Sequence, residues 1–140
     1  MANALVWADL QARVDAAQLS SGGVVLPVGW PNTTFKPPAP PRPWVLVEMT
    51  GGSAERLELG DTVPWLDEGQ ALVHVLVPVN TGLDAAMDIV DQVKAMFRGA
   101  SASPVRYTRV DADPGGPGTD DGSFWRTSVT ADWRVQTLST

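Results

Sequence analysis

The ten residues Gln70-Ala-Leu-Val-His-Val-Leu-Val-Pro-Val79 are too rich in β-branched side chains and too short to read as a helix, so they predict a strand. Asn80-Thr-Gly82 supplies a turn directly after it. From Leu83 the apolar residues recur at Leu83, Met87, Val90, Val93 and Phe97, a helical spacing that gathers them on one stripe. Asp84 and Asp88 stand near the start of this helix and Lys94 and Arg98 near its end, complementing the helix dipole, and Gly99 is placed to close it. A strand, tight turn and helix of this kind are scaffold, so function is to be sought in what the scaffold presents.

At 140 residues and 14.9 kDa the chain has the size of one domain, 1–140, with one core. Hydrophobic residues make up 44%, yet no apolar run approaches the ~20 residues that span a bilayer, so no membrane partner is expected. The start, Met-Ala-Asn-Ala-Leu-Val-Trp, lacks the basic and apolar regions of a secretory signal, which points to assembly in the cytoplasm. The absence of cysteine excludes disulfides and thiolate metal sites. A net charge of −6, with only ten Lys and Arg spread along the chain, argues against direct nucleic-acid binding, because phosphate contacts need clustered cations.

Asn3 is placed to cap a helix running to about Ala17, with Trp7, Leu10, Val14 and Ala17 on one face and Asp9, Gln11, Arg13 and Asp15 off it. Val24 to Val28 reads as a brief strand. Lys36 to Pro43 holds five prolines in eight residues, which favours an extended lead-in along the domain edge, since the strand Trp44 to Met49 follows at once. Gly51-Gly52 reads as a turn into a short strand, Glu55 to Leu59, and Gly60 to Gly69 as an irregular connection. Pro104 to Asp111 predicts a strand with Val105 and Tyr107 on one face. Ser123 to Thr137 predicts a longer one, its odd positions carrying Trp125, Val129, Ala131, Trp133 and Val135. Residues 112–122 between these strands carry glycine, proline and aspartate without a large apolar anchor, and are expected to form a mobile loop. The fold class is therefore α+β, an antiparallel or mixed sheet of about four to six strands packed with two helices.

Catalytic chemistry finds little material. His74 is the only histidine and alternates with Leu72 and Leu76, the setting of a packed residue, and no nucleophile or orienter is evident beside it. Gly51-Gly-Ser53 lacks the pattern of a nucleophile elbow, and neither a phosphate-binding loop nor a dinucleotide fingerprint occurs. Asp111, Asp113, Asp120 and Asp121 resemble a calcium loop only in part: Gly115 replaces an oxygen ligand, and Gly122 stands where the bidentate glutamate belongs. No catalytic residue, metal or cofactor is expected. Among the six tryptophans, Trp7, Trp125 and Trp133 fall on core faces, whereas Trp30 and Trp65 lie in irregular segments where an aromatic anchors either a partner or a satellite core.

The ordered features together resemble a known family. The N-terminal helix is followed by Pro27-Val-Gly-Trp-Pro-Asn-Thr-Thr-Phe-Lys-Pro-Pro38 and by a proline lead into Pro43-Trp-Val-Leu-Val-Glu48. Then comes Gly69-Gln-Ala-Leu-Val-His-Val-Leu-Val-Pro-Val-Asn-Thr-Gly-Leu83 before the helix ending at Met96 and Phe97. This succession resembles the tail terminator proteins of long-tailed bacteriophages and related prophage particles. The resemblance implies an α+β subunit of the virion tail that assembles as a homohexameric ring on the tail tube protein, ends tube polymerisation and receives the head connector. It carries no catalytic residues. The candidate partner or subunit contacts are Trp30, Asn32, Phe35, Trp65, Asp113, Asp120 and Asp121. Two other readings are weighed beside it: another small head–tail joining protein, such as a head closure or tail completion protein, and a small cytoplasmic enzyme or ligand-binding domain.

Overall fold

The structure, a computed structural model, describes residues 2–60, 62–99, 103–119 and 122–138. Its elements are α1 (Ala2–Ala17), β1 (Ser20–Ser21), β2 (Val24–Val25), β3 (Val28–Gly29), β4 (Trp44–Arg56), β5 (Pro64–Pro78), α2 (Asp84–Arg98), β6 (Arg106–Ala112), β7 (Gly116–Pro117) and β8 (Phe124–Leu138). Six strands form one sheet in the order β3-β4-β5-β8-β6, with β7 also on β8; β1 and β2 form a separate hairpin. Only β3 and β4 run parallel within the large sheet, which makes it mixed, and the two helices complete the expected α+β class.

The centre of the sheet is the pair β5 and β8, in register from Pro64 opposite Leu138 to Pro78 opposite Phe124 without a shift. Alternation then sends Ala71, Val73, Val75 and Val77 of β5, and Val129, Ala131, Trp133 and Val135 of β8, to the same side. All eight are at most 1% exposed under α1 and α2. Helix α1 contributes Val6, Leu10 and Val14 to this core, while Trp7 and Ala17 pack at its margin. Asn3 lies inside the helix, not at its cap.

The buried stripe of α2 is Ala86, Ile89, Val90, Val93, Met96 and Phe97. Leu83 and Met87, expected on it, are 46% and 38% exposed. Both sets have helical spacing, and packing against β5, β6 and β8 selects the one rotated toward Ala86 and Ile89. The Asn80-Thr-Gly82 turn forms as expected: Asn80 and Gly82 take φ of 64° and 77°, and the Thr81 hydroxyl donates to the Pro78 carbonyl at 2.6 Å.

Gly51-Gly52 is not a turn. β4 runs through it with a register shift between Thr50 and Ser53, and β5 begins at Pro64, so half of the expected irregular connection is strand. The cause is the indole of Trp133, which lies over Gly52 and Gly69: a β-carbon at Gly69 would collide with its ring, and one at Gly52 with the Glu68 carbonyl. The glycine pair marks a bulge that makes room for a large ring. The expected strand from Val24 to Val28 is likewise divided, Val24–Val25 turning back on Ser20–Ser21 and Val28–Gly29 joining the edge of β4. Within the expected loop, Ala112 belongs to β6 and Gly116–Pro117 pair with Arg126 and Trp125 of β8.

Candidate interaction surface

The face of the sheet away from the helices is built from the other alternation of the same strands. At one end Trp44, Leu76 and Phe124 form a second buried cluster, with Phe35 4.8 Å from Trp44 between ring centroids and Phe124 edge-on at 5.9 Å. Phe35 precedes the proline-rich segment and Trp44 follows it, so the segment is fastened at both ends to this cluster. Farther along, His74 Nδ1 lies 2.6 Å from Ser128 Oγ, and His74 Nε2 lies 3.0 Å from Glu48 Oε2. Two further polar pairs cross strands, Gln70 donating to Asp132 at 3.0 Å and Arg134 meeting Glu68 at 3.1 Å, while Arg109 meets Asp111 at 2.7 Å within β6.

The contact of serine, histidine and glutamate was not visible in the sequence, because the three residues meet only through the registers of β4, β5 and β8. It has the residue types of a nucleophilic array but not its setting. Ser128 is 8% exposed in mid-strand; its N–H donates to Asp113 Oδ1 and its carbonyl accepts from the Asp113 N–H. The backbone amide at a nucleophile is what an oxyanion hole ordinarily uses, and here it is engaged. The contacts tie β4, β5 and β8 together by hydrogen bonds across the open face.

The candidate contact residues do not converge on one site. Trp30 is half-buried against the main core, edge-on to Trp7 at 5.7 Å and 89°. Asn32 is exposed with φ of 54°, in a turn where the Thr33 hydroxyl donates to the Trp30 carbonyl at 2.7 Å. Phe35 packs beneath the open face, as above. Trp65 is half-buried near the start of β5, with the Arg56 guanidinium 5.2 Å above its ring. Asp113 Oδ1 accepts from Gly115 N–H at 3.0 Å and Ser128 N–H at 3.1 Å, which tethers the 112–122 loop to β8. Asp120 and Asp121 lie outside the described residues. Asp113→Ala is expected to cost about 1 kcal/mol and to speed amide exchange at Gly115 and Ser128 without affecting the core strands; unchanged exchange at both amides would refute the tether.

A charged cluster missed by the helical-face reading joins α1, α2 and β6. Asp9, expected off the buried face, is 6% exposed and accepts from Arg13 Nε at 2.8 Å. Arg13 Nη1 donates to the carbonyls of Met96 and Gly99, each at 2.8 Å, and the guanidinium stands 5.0 Å above the Tyr107 ring. The i, i+4 spacing of Asp9 and Arg13 was the available signal. Burial, and after it the charge of Asp9, push the ionisation of Tyr107 well above the ordinary range of a phenol. The unfolded phenol ionises near pH 10 while the folded one keeps its proton, so this contribution to stability is complete below about pH 10 and is lost as pH rises beyond it. Urea melts between pH 9 and 11 are expected to show a steeper alkaline loss for the parent than for Tyr107→Phe; parallel curves would refute it.

Among the described residues no three His, Cys, Asp or Glu side chains gather to hold a metal, and no helix is long and apolar enough to cross a membrane. The fold and this surface define an α+β domain with one helix-packed face and one face that combines an aromatic cluster with cross-strand polar pairs. The chain belongs to the phage tail terminator protein family, whose model matches residues 5–133. That family is structural and belongs to the virion tail. One solved structure, of a protein carrying only a serial designation, shares the fold at a TM-score of 0.69 and 22% identity, covering 100% of this chain and 99% of that one. No match was found among curated proteins.

Proposed function

We propose that the protein caps the head-proximal end of the tail tube as a homohexameric ring, stops polymerisation of the tube protein and offers the docking surface for the head connector. The observation that carries this reading is the family match over nearly the whole chain. The surface is compatible with it, since the polar groups described are engaged with one another and the sheet ends in two accessible edges. The contacts from Trp30, Asn32, Phe35, Trp65, Asp113, Asp120 and Asp121 belong to the same proposal, with the 112–122 loop gaining further order from a neighbouring subunit or tail partner. Tails assembled without this protein are expected to grow past their normal length, and adding the purified protein to growing tubes should arrest them under a sixfold cap. Tails of normal length in its absence, or a cap of different symmetry, would overturn the reading.

A further inference from the structure

Among the described residues both edges of the large sheet end without a partner strand. On one side β3 pairs only with Val45 and Leu46, and beyond them no strand among the described residues covers the outer side of β4 from Val47 to Arg56. On the other side β6 pairs inward with β8, and no described strand lies outward of it. Uncovered edges of this length can pair with another chain, and proteins discourage this with proline, charged side chains or bulges. Neither edge carries proline or lysine; each carries charged side chains and one bulge, between Thr50 and Ser53 in β4 and between Tyr107 and Arg109 in β6, and Thr50-Gly-Gly-Ser-Ala54 gives β4 a row of small side chains that lets a backbone approach.

We propose that the subunits join edge to edge, β6 of one copy adding to the outer side of β4 in the next, so that one sheet continues around the ring; this rests on the ring reading above. Direction favours it. β4 is antiparallel to β5, β5 to β8 and β8 to β6, so β6 runs opposite to β4. Rotation about an axis along the strands preserves their sense, and the two edges therefore meet antiparallel, the arrangement a hairpin sheet extends most readily. The contact is heterologous, using two different edges, which is what a closed ring requires.

Chemistry matches at one end of the open face and along the helix face of the joined sheet. The registers place Glu48 and Glu55 on the open face of β4, and Arg106, Arg109 and Asp111 on the open face of β6, where Arg109 pairs with Asp111 at 2.7 Å. On the helix face Met49 and Ala54 would come beside Tyr107 and Val110, three of which already pack at the margin of the main core. In that register Arg106 comes beside Glu55 and apolar side chains meet apolar ones, as cross-strand pairing favours, whereas Asp111 comes beside Glu48. A second copy of this chain fits either edge for these reasons.

Hydrogen exchange on the free protein and on the ring assembled on tail tubes tests the inference. Amides in 47–56 and 106–112 are expected to slow by about tenfold or more on assembly. The chain has no cysteine, so Ser53→Cys and Arg109→Cys each introduce a sole thiol at an exposed position. With a short bismaleimide the double variant should give a covalent ladder ending at the hexamer, and neither single variant should link to itself. A sixfold ring with neither edge protected and no ladder overturns this inference and leaves the ring standing. Self-linking by one single variant overturns it in favour of a symmetric contact. Absence of any ring removes the ring reading and this one together.

Discussion

Trp133→Ala is expected to lower the unfolding free energy by about 4 kcal/mol, a large share of what a domain of this size has. Trp133 is 1% exposed at the middle of the longest strand pairing, opposite Gly69 in β5 and Tyr107 in β6. Its ring occupies the space left by Gly52 and Gly69, and truncation would leave a cavity whose walls are strand backbone with little freedom to collapse. The complementary change, Gly69→Ala, drives a β-carbon into the indole and should destabilise from the other direction. In the double variant the two effects should fall well short of their sum, because alanine at 133 removes the collision. Urea melts of the four proteins measure this; a Trp133→Ala loss under about 1 kcal/mol, or simple additivity, would show that the ring and the glycines do not depend on one another.

Arg13→Ala comes next, at an expected 3 to 5 kcal/mol. The side chains of Arg13 and Asp9 are 11% and 3% exposed, so the pair is shielded from the solvent that makes surface ion pairs weak. Removing the guanidinium leaves a buried carboxylate without its nearest counter-charge and withdraws the donor shared by the Met96 and Gly99 carbonyls at the end of α2. Arg13→Lys keeps the charge but lacks the planar fork that reaches all three acceptors, and is expected to recover only part of the loss. The pairing with Asp9→Ala is diagnostic: the double variant should be more stable than Arg13→Ala alone. A loss below about 1 kcal/mol in thermal or urea unfolding would show that the packing of α1 holds without this clasp.

The features legible in the sequence are those with a local period. The alternation in β8, the β-branched run of β5 and the helical spacing of α1 and α2 all reflect one face buried against one neighbour, and each element is present at its pattern, β5 starting six residues earlier than expected. The errors occur where a distant residue decides. A glycine pair signals a turn or a bulge equally well, and at Gly51-Gly52 the choice falls to Trp133, far along the chain. The rotation of the α2 stripe away from Leu83 and Met87 depends on which side the sheet lies, which helical spacing alone does not state. Asp9 looked like surface because aspartate usually is; its burial depends on Arg13 and on the end of α2. His74 likewise acquires its partners only through strand register. The surface was less legible than the fold, since Trp30 and Phe35 are spent on fastening their own segment, and no local pattern distinguishes an aromatic that anchors a partner from one that anchors a loop.

The position of β8 at the centre of the sheet imposes an order of events during synthesis. β5 is complete at Pro78, but its main partner begins only at Phe124, so the strongest pairing in the domain waits until both helices and β6 have left the ribosome. Contacts that distant in sequence carry a loop-closure cost before they return any stability, which slows folding relative to a helical bundle of the same length. β6 precedes β8 in the chain, yet it has no place in the sheet until β8 lies on β5. A nascent chain therefore presents no finished β6 edge, and the surface most suited to recruiting another copy comes into being only when the core beneath it is already closed.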